Sequence, residues 1–472
     1  MTIPALVNQE VNGQFRSVPA ASSLVCVLGC ASAGTDLEVW LGARVTDLVS
    51  AYGYGPGPEL AAVKAAAGLQ VGFIKLPTVT PGVAGSVTFT GTGDSVVTVT
   101  GTPYDTYSVI MEVLKAGTVG TDGIQIRYSL NGGKEYSAPY YLGTAVTFAI
   151  PNTGVTLNFA AGDLDLGDTA EFELTEPLPD SAGIQSAIEA LRTHGVNFDC
   201  IALATPASAA LLTAMNSKIV SLKTHGKHMW GLAGWAIPGT AETDAAYASA
   251  TNASLNTIST DKIGLTTWSA DYISSISGYL LKRTPLFAAL NVLTPAVISE
   301  NSAAISGHQV PALLADEDGN QIYHDALYDE SLSDRTITLR TWPGQPGVYI
   351  TRARLLSAPA DSAQLIIHRR LVNRAEQLAD AYFATVVNTP IEVAPNGTIS
   401  PEEAIRIEQG MQAALEDGMG NDVSGVVYKL DRLINILTTS KLEGDVYIQP
   451  FAYPETIVTR IALVAELVTE AA

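Results

Sequence analysis

The chain has 472 residues, 47% of them hydrophobic and 15% charged, and 47 acidic against 26 basic side chains leave a net charge of −21. That composition excludes a disordered chain, which has too little apolar surface to offset its conformational entropy. The length allows two to four domains. The acidic balance argues against a nucleic-acid binder, which needs a basic stripe to meet phosphates; it favours solubility of a large particle.

The opening stretch, MTIPALVNQEVNGQFRSVPAAS, lacks the basic start and apolar centre of a signal peptide. No run of about 18 apolar residues predicts a membrane span, so the chain is expected to be cytoplasmic when made. Residues 1–23 show no helical period and read as an extended arm. A core begins at SSLVCVLGCA, a continuous apolar run typical of a strand covered on both faces. Two of the three cysteines, Cys26 and Cys30, fall in it, too far apart along a strand to bridge each other. With Cys200 they read as buried thiols of a reducing compartment.

Next, TDLVSAYGYGPGPELAAVKAAAGLQVGFIKLP predicts a helix, a Gly/Pro turn, an Ala-rich helix and a strand. From about Pro81 the texture changes. Residues 82–178 carry Thr, Val, Gly and Tyr in short alternating runs, and SLNGGKEYS has the Asn-Gly signal of a hairpin. This predicts an inserted all-β, sandwich-like domain. After Pro179, α/β alternation returns. Helices are predicted in DSAGIQSAIEALRTHG, ASAALLTAMNSKIVSLKTHG and TAETDAAYASATNASLN, and strands in VNFDCIALATP and KHMWGLAGWAI. Residues 273–306 read as helix with breaks.

The final third differs again. VPALLADEDGNQIYHD predicts a hairpin about Asp318-Gly319, and TITLRTWPGQPGVYITRARLLS an extended pair around a Pro/Gly turn. DSAQLIIHRRLVNRAEQLADAYFATVVN is a long amphipathic helix. ISPEEAIRIEQGMQAALEDGM is a helix with Ser400 as N-cap, Pro401 at its first position and Glu403 completing a capping box. GDVYIQPFAYPETIVTRIALVAEL is two strand-like runs split at Pro454.

Motifs that carry chemistry are weak. AYGYGPGPEL is glycine-rich before a helix, but Pro56 and Pro58 remove amide donors and no Lys-Ser/Thr follows, so a tight turn is favoured over a phosphate loop. HGKH sets His225 and His228 three apart without a second ligand pair, which favours turn or surface histidines. GDLDLGD (Asp163, Asp165, Asp168) lacks the order and closing Glu of a calcium loop; an acidic hairpin turn is favoured, and DEDGN (316–320) likewise reads as a β-turn. No Gly-x-Ser-x-Gly elbow surrounds Ser277. No catalytic site, metal or cofactor is expected. One helix stands out in an acidic chain: HRRLVNRAEQ gathers His368, Arg369, Arg370 and Arg374. It reads either as pairing with acids of its own chain or as docking an acidic partner.

The order of elements in the final third, PGVYITRARLLS, then IIHRRLVNRAEQLADAYFATVVN, then PNGTISPEEAIRIEQGMQAALEDGM and GDVYIQPFAYPETIVTRIAL, resembles the C-terminal domain of contractile bacteriophage tail sheath proteins, to which tailocin and type VI secretion sheaths are related. The match spans roughly residues 335–470. The resemblance implies an α/β and α+β multidomain chain: an arm (1–23), an α/β domain (24–81 and 179–300), the β insertion (82–178), a sheath-type C-terminal α+β domain (301–455) and an arm strand (456–472). It implies a structural, non-enzymatic subunit that polymerises with itself as stacked six-membered rings around an inner tail tube protein and contracts to drive that tube through the host envelope. Baseplate and tail terminator proteins are the further partners, with no nucleic acid and no membrane segment; the sheath sits in a virion tail assembled in the host cytoplasm. Terminal arms link subunits by adding strands to a neighbour's sheet; Ile3, Leu6 and Val7, and Ile457, Val458, Arg460, Ile461, Leu463 and Val464, occupy those places. Arg369, Arg370 and Arg374 lie on the helix that could face the tube. Other tail components, a tube or baseplate protein, and an acidic α/β enzyme with a β-domain are the competing readings.

Overall fold

The computed structural model describes residues 23–239, 242–300, 309–314, 332, 335–342, 344–358, 361 and 363–452. The arms, with every arm residue named above, and the expected Asp318-Gly319 hairpin lie outside the described residues.

The first strand, β1 (Val25–Gly29), is buried at all five positions, as its unbroken apolar run requires. It is followed by β2 (Val39–Gly42), α1 (Val45–Tyr52), α2 (Pro56–Ala66) and β3 (Val71–Lys75). The chain then stays in β structure, with β4 (Val97–Gly101), β5 (Tyr107–Lys115), β6 (Gln125–Ser129), β7 (Val155–Phe159) and β8 (Thr169–Thr175) joined by shorter strands. Alternation resumes with α3 (Ser181–Thr193), β9 (Cys200–Ala207), α4 (Ala209–Lys223), β10 (Trp230–Trp235), α5 (Asp244–Leu255) and β11 (Ile263–Thr266).

These two α/β stretches build one six-stranded sheet in the order β11-β10-β9-β1-β3-β2. Its strands pair in parallel, except that β2 runs antiparallel to β3 at the edge. The two-residue period of β1 divides the core. Val25 and Val27 join Leu60 of α2 on one face, whereas Cys26 and Leu28 join Ile184 of α3 and Met215 of α4 on the other. All three thiols are free and buried; desolvation raises each, Cys30 to about 11.

Helix α2 is buried almost all round. Its glycines let it sit directly on the sheet: a side-chain carbon on Gly29 would stand 2.5 Å from the Gly57 backbone. The Gly/Pro run is therefore a tight turn, with Gly55 at φ 132°, feeding a close helix–strand contact.

Between β3 and α3 the strands form their own sheets. One has β6, β5 and β8 at its centre and the short strands 140–141 and 83–84 at its ends; the other sets β7 between 147–149 and β4. Strand β5 alternates buried and half-buried positions along its length, and Val109, Met111 and Val113 point into the core. The Asn131-Gly132 turn is wider than a two-residue hairpin. Gly132 and Gly133 both take positive φ, and the Asn131 side chain accepts from the Glu135 N–H at 3.0 Å.

The helical expectation over 273–306 needs correction. Its first part is a hairpin, β12 (Ala270–Ile273) antiparallel to β13 (Leu280–Arg283), and only then comes α6 (Leu286–Leu293). Turn chemistry wins locally. The Ser274 hydroxyl accepts from the N–H groups of Ile276 and Ser277, and Gly278 takes φ 77°.

The expected extended pair is β14 (Leu339–Trp342) and β15 (Gln345–Ile350), antiparallel about Gly344. Two long helices follow, α7 (Ile366–Phe383) and α8 (Pro401–Met419), then an antiparallel pair, β16 (Val423–Leu430) and β17 (Gly444–Pro450). Ser400 caps α8 as expected, its hydroxyl accepting from the Glu403 N–H at 3.3 Å. The capping box does not close: Glu403 turns to Arg406, and the Ser400 N–H donates to the Glu392 carbonyl at 2.9 Å.

Candidate functional site: the arginine helix and the C-terminal sheet

Helix α7 has two faces of different chemistry. Ile367, Leu371, Ala375 and Leu378 recur at three- and four-residue steps and pack on Ile407, Met411 and Leu415 of α8. Arg369 lies on the opposite side, Arg370 on the flank and Arg374 beside the α8 contact, and the structure turns all three inward. Arg369 meets Asp261 at 2.9 Å and bonds the Asn373 side chain at 2.8 Å. Arg370 meets Asp199, the residue before β9, at 3.0 Å and donates to the Pro295 carbonyl at 2.9 Å. Arg374 donates to the Gly418 carbonyl at 3.2 Å. The charge expected to face a tube is therefore spent inside the subunit, on acids and carbonyls of the same chain. A buried guanidinium without such partners would be prohibitively desolvated.

One turn further along α7, Glu376 and Asp380 hold His228. Its Nδ1 lies 2.8 Å from Glu376 and its Nε2 2.7 Å from Asp380. Burial would lower this imidazole, but the two carboxylates outweigh it and lift it to about 9. Burial would raise Glu376, yet His228, Lys223 at 2.5 Å and Arg369 bring it down to about 2. Of the two histidines expected at a turn or surface, His225 is exposed and bonds the Ser221 carbonyl, but His228 is buried. Nothing near it in the sequence marks its role, because both carboxylates come from a distant helix. On the far side of Arg370, Lys64 of α2 is buried and donates to the Thr294 carbonyl at 3.2 Å; burial brings its pKa down to about 8.

The β16–β17 pair rests on α8. Val423, Val426, Tyr428 and Leu430 point inward, while Val427 and Tyr447 are about half exposed, at 46% and 55%. Among the described residues neither strand pairs with a third. Their outer edges are not equivalent. The Gln412 amide of α8 donates to the Val426 carbonyl and accepts from the Tyr428 N–H, both at 2.8 Å. Glu408 accepts from the Leu430 N–H at 3.1 Å. Helix side chains thus cover the outer edge of β16. Since Val426 and Tyr428 turn their polar groups away from β17, their partners Ile448 and Val446 turn theirs outward too. Among the described residues the open edge is β17.

The acidic turn in the β-rich stretch is structural. The buried Asp168 carboxylate accepts from the N–H groups of Thr92, Gly93 and Asp165, at 3.0, 3.2 and 2.7 Å. Among the described residues no group of three or more His, Cys, Asp or Glu side chains is arranged to hold a metal, and no helix is long and apolar enough to cross a membrane.

No family model and no curated protein matches the sequence. Solved structures do. The chain aligns over 98% of its length with 98% of a chain of the PVC sheath complex, an extracellular contractile injection system in its contracted state, at 10% identity and a TM-score of 0.51. It has a contractile-sheath fold. It also aligns with sheath tail proteins from Desulfitobacterium hafniense (12% identity, 94% of this chain and 100% of that one, TM-score 0.47) and Listeria innocua (13%, 91% and 96%, TM-score 0.44).

Proposed function

We propose that the chain is a structural, non-enzymatic subunit of a contractile sheath in a phage tail or related injection particle. Copies stack as six-membered rings around an inner tail tube, between baseplate and tail terminator proteins, and contract to drive the tube through a host envelope. The particle is assembled in the host cytoplasm. The observation that carries this reading is the fold likeness to the contracted PVC sheath over 98% of both chains. The division into an α/β domain (24–81 and 179–300), a β insertion (82–178) and a C-terminal domain (301–455) belongs to the same reading.

The uncovered edge of β17 supports a linkage through strand addition. Such an edge is an aggregation liability in a monomer and a docking site in a polymer. In this proposal an arm of a neighbouring copy, Ile3 to Val7 or Ile457 to Val464, supplies the missing strand. A head-to-tail contact of this kind does not close on itself and propagates as a helix. Negative-stain microscopy of the purified chain tests the reading: striated tubes or cylinders are expected, and a stable monomer at high concentration overturns it. Removal of residues 457–472 is expected to leave a folded subunit that no longer polymerises; normal assembly of that truncation overturns the arm assignment.

A further inference from the structure

The place where the β-rich stretch meets the α/β core holds an unbalanced set of buried charges. Glu59 of α2 is 6% exposed, Asp105, just ahead of β5, is 1% exposed, and Arg283 of β13 is 8% exposed. Arg283 lies 3.0 Å from Asp105 and 5.6 Å from the centre of the Tyr107 ring. The Tyr272 hydroxyl donates to Glu59 at 2.5 Å. Glu176, just after β8 and only partly buried, stands beside the group, and its N–H donates to the Thr106 hydroxyl at 3.2 Å. Two buried carboxyls therefore share one guanidinium. Isolated buried carboxylates are strongly disfavoured, so the deficit must be met by protons or by a second cation.

A cavity of about 130 Å³ adjoins this group. Glu59 lines it, together with Tyr54, Tyr107, Tyr128 and Tyr279. Tyr54 and Tyr279 come from the α/β part and Tyr107 and Tyr128 from β5 and β6, so the cavity lies across the junction. A carboxylate beside several phenol rings is the chemistry that recognises an ammonium group: the ring quadrupoles attract a weakly hydrated cation and the carboxylate neutralises it. Size agrees as well. A cavity of roughly 150 Å³ accommodates benzene, and the present space is of the same order, as a methylated ammonium ion of comparable bulk requires.

We propose that this cavity is a binding site for a small alkylammonium ion, which supplies the positive charge missing from the Glu59 and Asp105 pair. A bound ion would tie the β-rich stretch to the α/β core. The same charge imbalance raises the carboxyls when the cavity holds no cation. Burial pushes Glu59 up against the opposing bonds from Tyr272 and Ser274, with Asp105 adding to the rise and Arg283 reducing it. Burial and Asp105 push Glu176 to about 8, Arg283 opposing. The phenols of Tyr107 and Tyr272 are raised as well, by burial first and then by Asp105 and Glu59 respectively, so they stay neutral donors. Cation binding expels a proton and strengthens as pH rises.

The test titrates the full-length chain with tetramethylammonium chloride by calorimetry and thermal unfolding. Sodium chloride at equal ionic strength and tert-butanol, a neutral molecule of the same heavy-atom count, are the controls. Saturable binding of tetramethylammonium alone is expected, at least threefold tighter at pH 8 than at pH 6. Glu59→Gln, which can still accept from Tyr272, should weaken it at least tenfold. Tyr279→Phe, which keeps the ring, should bind as the parent does, and Tyr279→Leu should bind several-fold more weakly; this pair decides the matter if Glu59→Gln does not fold. Absence of binding beyond the sodium control, equal binding of tert-butanol, or unchanged affinity in a folded Glu59→Gln or in Tyr279→Leu overturns the proposal and leaves protons as the balancing charge.

Discussion

The central sheet and the C-terminal strand pair solve the same problem in opposite ways. Six strands of the first are sandwiched between helices, and its middle strand is buried at every position. The second has two strands, one covered face, and one outer edge capped by Gln412 and Glu408 while the other is left open. The first arrangement maximises burial. The second leaves a row of backbone donors and acceptors without a partner among the described residues. Between them stands α7, apolar toward the strand pair and charged toward the central sheet. On the proposed reading, stability and the capacity to assemble reside in different elements of the chain, so they can be broken separately.

The largest effect is expected where α7 meets the central sheet. Arg370→Leu leaves the buried Asp199 without its guanidinium. Breaking one side of a buried pair costs about 3–5 kcal/mol. Denaturant unfolding should show that loss, and Arg370→Leu with Asp199→Leu should recover much of it, since an apolar pair leaves no orphaned charge. An equal loss in the single and double variants would mean that packing, not charge pairing, holds this seam.

The open edge is sharpened by two substitutions of opposite kind. Gln412→Ala uncovers the polar groups of Val426 and Tyr428, at a cost of about 1–3 kcal/mol, and presents a second open edge. Irregular aggregates should then appear in light scattering. Val446→Pro removes an outward N–H of β17 without touching the bonds of Tyr447 and Asp445 to β16. The subunit should keep its circular dichroism spectrum and fail to form tubes by microscopy. Tubes from Val446→Pro would show that β17 accepts no strand.

Much of the central sheet was legible because its strands are unbroken apolar runs and its helices carry caps and periods. The strand β16 was not. A bulge between Val423 and Gly425 shifts its pairing register, so NDVSGVVYKL does not alternate cleanly and hides its inward set. The arginine cluster was legible as a feature, with pairing inside its own chain as one of two readings, but its partners were not. Asp261, Asp199 and Gly418 lie far along the chain, and only the fold brings them to Arg369, Arg370 and Arg374. His228 was misjudged for the same reason: a histidine at a turn looks exposed until a distant helix covers it. The junction cavity has no local signature, since its tyrosines and Glu59 come from separate elements.

The histidine clamp predicts a moderate, pH-bounded effect. His228 rises from its ordinary 6.5 to about 9 in the folded chain, so its contribution is complete below about 6.5 and is lost as pH climbs to 9. Glu376 falls from 4.5 to about 2, so its contribution is complete above about 4.5 and is lost as pH drops toward 2. In thermal unfolding of the parent chain these two contributions are therefore both complete between about pH 4.5 and 6.5 and fall away on either side, on top of the steady loss above pH 4.5 that the raised Glu176 imposes. His228→Gln should flatten the alkaline limb over pH 6.5–9. An unchanged alkaline limb in that variant would assign the pH dependence elsewhere, with the Glu176 junction as the next group to test.

The smallest effects are expected at the start of α8, where the unfinished capping box separates two residues that the sequence pairs. The Ser400 hydroxyl satisfies the Glu403 N–H, and loss of such a cap costs about 1 kcal/mol. Glu403 makes no return bond to the Ser400 N–H, which is already held by the Glu392 carbonyl. Its carboxylate pairs with the exposed Arg406, a contact of a kind that contributes little. Ser400→Ala should therefore lower the denaturant midpoint measurably, while Glu403→Gln should shift it only slightly. Comparable losses in the two variants would restore the closed box that SPEE suggests. If only Ser400→Ala matters, α8 is anchored by one side chain and one backbone bond, and the acidic first turn serves mainly to place charge beside the helix N-terminus.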